Sequence, residues 1–235
     1  MRALLVSLVV PLALLSAAAA APVPKADPLP PATEAQLKAS RDNLERITLA
    51  CINYADANNG QMATNTADKD GNPLLSWRVA ILPYVEQANL YKQFKRDEPW
   101  DSDHNKKLVE KMPKLYAPVR VQARAGETFY QVFAGPGALF GPKQPLFPTS
   151  IPDGTSNTGL VFEAGDPVPW SKPSDLPFNE KIPLPKLGGL FDGELHVGMC
   201  DGSVFRVKKD FDAGEMKKLI MPADGNVLDI DKLRK

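Results

Sequence analysis

Twenty-three of the 235 residues are proline, roughly twice the usual share. A proline inside a helix removes a hydrogen bond and clashes with the preceding turn, and one in a central strand removes a ladder bond. The chain therefore has to divide its backbone between short regular elements and long ordered loops around a modest core. The hydrophobic fraction of 43% is enough for such a core, which argues against global disorder. Acidic and basic residues balance at 28 each. A nucleic-acid partner is not expected, because such binders usually carry a basic excess or stripe.

The N-terminal residues read as a targeting segment rather than as part of the fold. Arg2 provides a positive start, "ALLVSLVVPLALL" an apolar run, and "SAAAAA" the small residues of a cleavage region. This predicts a Sec-type signal peptide over 1–20, cut near Ala19 to Ala21. The alternative is a retained N-terminal anchor, although the run is short against the about 20 apolar residues that a span needs. No transmembrane segment is expected after cleavage. Residues 21–32, "APVPKADPLPPA", read as a proline-rich tether, and 33–235 as a single domain. The expected location is the periplasm, the cell surface or the extracellular space. In that oxidising setting the two cysteines, Cys51 and Cys200, are candidates for one disulfide. The alternative is two buried free thiols. Two cysteines and two distant histidines do not make a zinc site.

After the tether, Thr33 and Gln36 fit a capping box. Leu37, Leu44, Ile47, Cys51 and Tyr54 follow at helical spacing, with charged residues on the other sides. The helix is expected to stop near Asn58, Asn59 and Gly60. "DKDGNP", 68–73, resembles a calcium loop, but Trp77 stands where an EF-hand needs glutamate, so it reads as a turn. Ser76 caps a short helix that Pro83 should break. Residues 101–111 read as a capped, charged helix with His104, a solvated histidine, in its first turn.

Beyond Met112 the pattern turns to strands. "ETFYQVFAG", "GTSNTGLVFEAG" and "LHVGMCDGSVFRV" are separated by turns and by a proline-rich excursion over 167–185. Strands after helices predict an α+β domain: a long N-terminal helix packed on an antiparallel sheet, with proline-rich loops. In the last of these segments Asp201-Gly202 suits a two-residue type I′ turn. That register sets Gly198 opposite Phe205 and His196 opposite Val207. It puts His196, Gly198 and Cys200 on the core face, and Leu195, Val197 and Met199 on the more exposed one. A helix packed on that core face would bring Cys51 toward Cys200.

The binding candidates are His196, Asp201, Asp153 and Asn157. For His196 a partly buried structural role stands beside a functional one, and Asp201 is first of all a turn residue. No cofactor is expected. The one cofactor the residues suggest is calcium, at Asp153, Thr155, Asn157 and Glu163, which offer hard oxygens near one turn. The plainer reading, which we prefer, is that Asp153, Thr155 and Asn157 hydrogen-bond their own backbone.

Five ordered blocks, "RDNLERITLACINYADANNG", "DKDGNPLLSWRVAILPYVEQANLYKQF", "PWDSDHNKKL", "DGTSNTGLVFEAG" and "LHVGMCDGSVFRV", together resemble an exported bacterial family, domain of unknown function 1559, associated with pseudopilin-like proteins. The resemblance covers most of 41–219. It implies a long N-terminal helix laid on an antiparallel sheet, and a histidine followed by Asp-Gly, here His196 and Asp201-Gly202. The family has no established reaction, so no catalytic residue is carried over. The chain departs from many members in two ways. It lacks a prepilin cleavage motif continuous with a hydrophobic helix. It also has Ala117-Pro118 where many carry a cysteine before the proline; Cys51 and Cys200 would then be its own staple.

Three functions compete. The first is a non-enzymatic, pseudopilin-like structural or interaction module of the envelope, whose partners are other envelope proteins or copies of itself. The second is an extracellular solute-binding protein, with Trp77, Tyr84, Trp100 and Trp170 as stacking surfaces. The third is a hydrolase built on Ser156, His196 and an aspartate, but Ser156 lacks the Gly-x-Ser-x-Gly elbow. The first is preferred. A closed pocket with converging polar groups near His196 would favour solute binding, and a flat face would favour assembly.

Overall fold

A computed structural model describes residues 30–121 and 123–235. The expected signal peptide and all but the last three residues of the expected tether lie outside the described residues. Helix α1, Glu34–Ala57, begins at the capping box foreseen: the Thr33 hydroxyl accepts from the Gln36 N–H and the Gln36 side chain accepts from Thr33 N–H. Two of the three residues foreseen as its stop, Asn59 and Gly60, have positive φ, and Asn58 is the cap. The buried stripe holds Leu44, Ile47 and Cys51, joined by Ser40, Thr48, Ala50 and Ala55. Small side chains on that face let the helix approach the sheet closely.

The central sheet has strand order β1-β3-β5-β6, with β1 at Glu127–Gln131, β3 at Gly159–Pro169, β5 at Glu194–Met199 and β6 at Val204–Lys208. All its pairings are antiparallel. Two short strands, β2 at Phe133–Ala134 and β4 at Leu176–Pro177, form a separate parallel pair. The fold class is α+β, with the long helix on an antiparallel sheet as expected. Residues Pro31–Lys235 form one compact unit.

The connecting segment after α1 is a run of short helices, as its prolines dictate. Ser76 caps α2, Trp77–Ala80, by accepting from Arg78 N–H, and a 3-10 turn at Leu82–Val85 holds Pro83 near its start. A further short helix, α3, spans Ala88–Tyr91. The helix expected over 101–111 is a 3-10 helix at Asn105–Lys111 instead. Asn105 explains the tightening: fully buried, its amide donates to the carbonyls of Lys95, Glu98 and Pro99 and its oxygen accepts from Lys95 N–H. His104 is exposed, with Nε2 2.8 Å from the Gln93 carbonyl. Trp77 and Trp170 are core residues, and Trp170 stacks on Tyr116 at 5.7 Å. Asp68 accepts from the N–H groups of Asp70 and Asn72, so 68–73 is a turn held by its own side chain.

The hairpin register differs from expectation by one residue. Gly198 pairs with Val204, Val197 with Phe205, and His196 with Arg206. A type I′ turn needs positive φ at both central residues, and here only Gly202 has it, at +91°. The loop instead has three residues, Cys200 to Gly202, closed by Met199 N–H donating to Ser203 O (2.8 Å). A one-residue slip moves every β6 side chain to the other face relative to β5. Phe205 therefore does not lie over Gly198. The helix does: a Cβ at Gly198 would fall 2.1 Å from Thr48 Oγ1.

The face expected to be exposed is buried as well. Leu195, Val197 and Met199 join a second apolar core with Phe162, Phe133 and Phe178. Helix α4, Ala213–Ile220, closes it with Met216, Leu219 and Ile220. The C-terminal segment then covers the β6 edge: Lys208 N–H donates to Leu233 O and Lys235 N–H to Arg206 O. An uncovered edge strand would present unpaired backbone groups.

Candidate functional site

The sheet face under α1 carries a chain of buried polar groups centred on His196. Glu163 and His196 lie one residue beyond the paired Phe162 and Val197 on their strands. Both are fully buried, as is Ser40 of α1. Glu163 accepts from the Ser40 hydroxyl (2.6 Å) and from the His196 backbone N–H (2.8 Å), and its Oε1 lies 3.2 Å from His196 Nδ1. The other ring nitrogen, Nε2, lies 3.2 Å from Glu194 Oε1. Arg206, across from His196 on β6, donates to both oxygens of Glu194 at 2.7 and 3.3 Å.

Carboxylates only accept, so both ring nitrogens of His196 face acceptors. An imidazolium donates to both; a neutral ring donates to one and leaves the other nitrogen against a lone pair. Burial would raise the Glu194 carboxyl, but the Arg206 guanidinium and His196 outweigh it and hold Glu194 below the usual carboxylate range. Tyr130, whose hydroxyl is 3.3 Å from Ser40 Oγ, has its phenol pushed well up by burial and by the Glu163 charge.

The serine that touches the network, Ser40, meets Glu163 rather than a histidine nitrogen, and no member of the Ser40, Glu163 and His196 set reaches solvent. Ser156, the nucleophile of the hydrolase alternative, is exposed on the turn before β3. Both ring nitrogens of His196 are already engaged by carboxylates.

The other candidates are dispersed. Asp201 is exposed at the hairpin tip and accepts from the N–H and hydroxyl of Ser203 (2.9 and 2.6 Å). Asp153 accepts from the N–H groups of Asp224 and Gly225, tying the end of the α4 connection to the turn before β3. The Asn157 amide donates to the Asp153 carbonyl (2.9 Å). Glu163 is in the core, so the four-oxygen set considered for calcium is not assembled. No cluster of three or more metal-ligating histidine, cysteine or acidic residues occurs among the described residues. Cys51 and Cys200 share the core under α1, as the face assignment required, and both are free thiols. Burial pushes Cys51 up to about 12 against the opposing pull of Arg78. Cys200 is also raised, by burial, then by Cys51 and Asp201.

Glu194 was missed by sequence reasoning, and Glu163 was assigned to the wrong partner. A signal was present: each is an acidic residue at the border of an apolar strand segment, "GLVFEAG" and "ELHVGM", and such a charge needs a partner if the strand is buried. Ser40 carried no signal, because a lone serine on a helix reads as neutral.

Beside this network a groove of about 630 Å³ opens at the surface. Leu184 and Leu187 of the segment before β5 line it together with Phe211. Phe191, Leu195 and the edge of Glu194 also line it. Phe191 touches the network, its ring centroid 5.1 Å from that of His196. His196 itself does not line the groove.

Among the described residues no helix is long and apolar enough to cross a membrane. No curated protein and no solved structure matches the chain. A family model does, described as "Protein of unknown function (DUF1559)", over residues 38–138. That segment takes in most of α1, the short helices and β1, the scaffold on which the Ser40 end of the network is built. Over that segment, less than half of its length, the chain is similar to the DUF1559 family.

Proposed function

We propose that this chain is an exported, non-enzymatic binding and interaction module of the cell envelope, pseudopilin-like in its helix-on-sheet plan. One observation carries the reading: the histidine of the hairpin is sealed beneath α1 with both ring nitrogens held by carboxylates. A group so placed fixes strands to helix and is closed to a substrate. Export rests on the N-terminal pattern of Arg2, the apolar run and the alanine-rich cleavage region.

The test has two arms. The mature chain is expected to show no turnover on generic ester, peptide and glycoside substrates. Turnover that His196→Gln abolishes with folding intact would overturn the non-enzymatic reading. Mass analysis of protein recovered outside the cytoplasm is expected to place the new N-terminus near Ala19 to Ala21, and an uncut chain retained in the cytoplasm would overturn export.

Solute binding is the second reading. The groove beside the network favours it, because its volume lies within the about 300–1,000 Å³ of small-molecule sites.

A further inference from the structure

We propose that this groove binds a single-chain anionic amphiphile, an alkyl carboxylate, with its chain along the apolar lining and its carboxylate at a rim of lysines. The inference rests on the second reading, that the chain binds a small molecule, and names the chemical class.

The lining decides the tail. Leu184, Leu187, Phe191, Leu195 and Phe211 offer aliphatic and aromatic surface, and Pro183 and Pro185 add rigid apolar wall. Covering such a surface is favourable by about 25 cal/mol for each Å² removed from water. A sugar or other polar solute would need converging donors and acceptors, and the groove has few. Its one acidic residue, Glu194, already has its oxygens engaged by Arg206 and His196.

Charge decides the head. Lys186, Lys209 and Lys217 stand around the same groove. Lys186 has Asp166 at 3.7 Å, an open contact between two exposed side chains. The Lys217 ammonium donates to a neutral carbonyl, that of Glu180, so its charge is not cancelled there. Lys209 is exposed and forms no ion pair among the described residues. The chain as a whole is neutral, so this local excess is a feature of the groove. An apolar cleft with a cationic rim is complementary to an apolar tail with an anionic end and repels a cationic one.

The experiment is calorimetric titration of the full chain with dodecanoate below its micelle concentration, with dodecyltrimethylammonium as the probe of equal tail and opposite charge. Saturable one-to-one binding of dodecanoate alone is expected. The double variant Lys209→Glu/Lys217→Glu, altered only at the rim, should weaken it about tenfold, the sum of two reversed exposed pairs. Leu187→Asp should weaken it too. No saturable dodecanoate binding, equal binding of the two probes, or an unchanged affinity in the rim variant would overturn the proposal. So would binding confined to an acidic apolar peptide or to anionic vesicles, which would make the groove a protein or membrane contact. Failure of dodecanoate alone, with another small molecule bound, removes this ligand class and leaves the solute-binding reading intact.

Discussion

Toward α1, strand β5 presents His196 and Gly198, and the residue after it, Cys200, continues the same face. Away from α1 it presents Leu195, Val197 and Met199. Both faces are buried, yet they are held differently. The far face is a continuous apolar core in which Met216 and Leu219 of α4 fill volume between Val197, Val207 and Phe162. The near face is fixed at points. Ser40 meets Glu163, Leu44 and Thr48 straddle Gly198, and Cys51 lies in the core with Cys200. The eleven steps along the helix from Ser40 to Cys51 rise about 16 Å, and the four steps from His196 to Cys200, just past the end of β5, span about 13 Å of extended chain. Helix and strand therefore run side by side in the same direction, locked at three levels. An apolar face tolerates any filling of the right volume, whereas a face with buried charges demands particular partners.

The largest effect that would test this contrast comes from Glu163→Ala. It leaves His196 and Ser40 without their acceptor in a sealed site, and removing one partner of a buried pair costs about 3–5 kcal/mol. Chemical denaturation should show that loss, and a cost under about 1 kcal/mol would mean that the network is incidental. On the far face Met216→Ala should cost about 2–5 kcal/mol through the cavity left, but Met216→Leu should recover most of it. No comparable replacement should rescue Glu163.

Gly198→Ala comes next, at about 1–3 kcal/mol from overpacking, because its Cβ would collide with Thr48 Oγ1. Adding Thr48→Ala should recover part of the loss. Strict additivity of the two variants would disprove the close approach of helix and strand.

A smaller effect appears in acid. Arg206 holds Glu194 below the ordinary carboxylate range in the folded state. Its contribution is therefore complete above the unfolded value of about 4.3 and is lost as pH falls through the lower folded value. Glu194→Gln should lower stability at neutral pH and flatten its fall between pH 5 and the acid limit, within about that window. An unchanged acid slope would show that Glu194 is not part of the ion pair in solution. The smallest effect concerns the thiols. Reductant should leave the thermal midpoint unchanged, and denatured protein should titrate two free thiols. A midpoint that falls with reductant would report a bond between Cys51 and Cys200.

Much of the near face was legible. The capping box at Thr33, the stripe through Leu44, Ile47 and Cys51, and the sharing of one face by His196 and Cys200 follow from periodicity and from local hydrogen bonding. The hairpin was legible as a hairpin, but its register was not. Whether Asp201 adopts positive φ depends on the bonds made around it, among them that of its carboxylate to Ser203, and one residue of slip decides that Arg206 rather than Val207 faces His196. The second core was invisible for a related reason. Alternation in Leu195 to Met199 shows two faces, but only the packing of α4 and of the segment around Phe133 and Phe178 reveals that both are covered.

The sequence by itself determined where the helix begins and ends, which segments form strands, and that His196, Gly198 and Cys200 share one face of the β5 segment, because caps, turns and alternation act over a few residues. Only the tertiary structure decided what His196 meets. Ser40, Glu163, Glu194 and Arg206 come from a helix and three strands, and no short-range preference names one as another's partner. Their pairing exists because burial of the sheet under α1 leaves each charge with a single set of neighbours able to satisfy it.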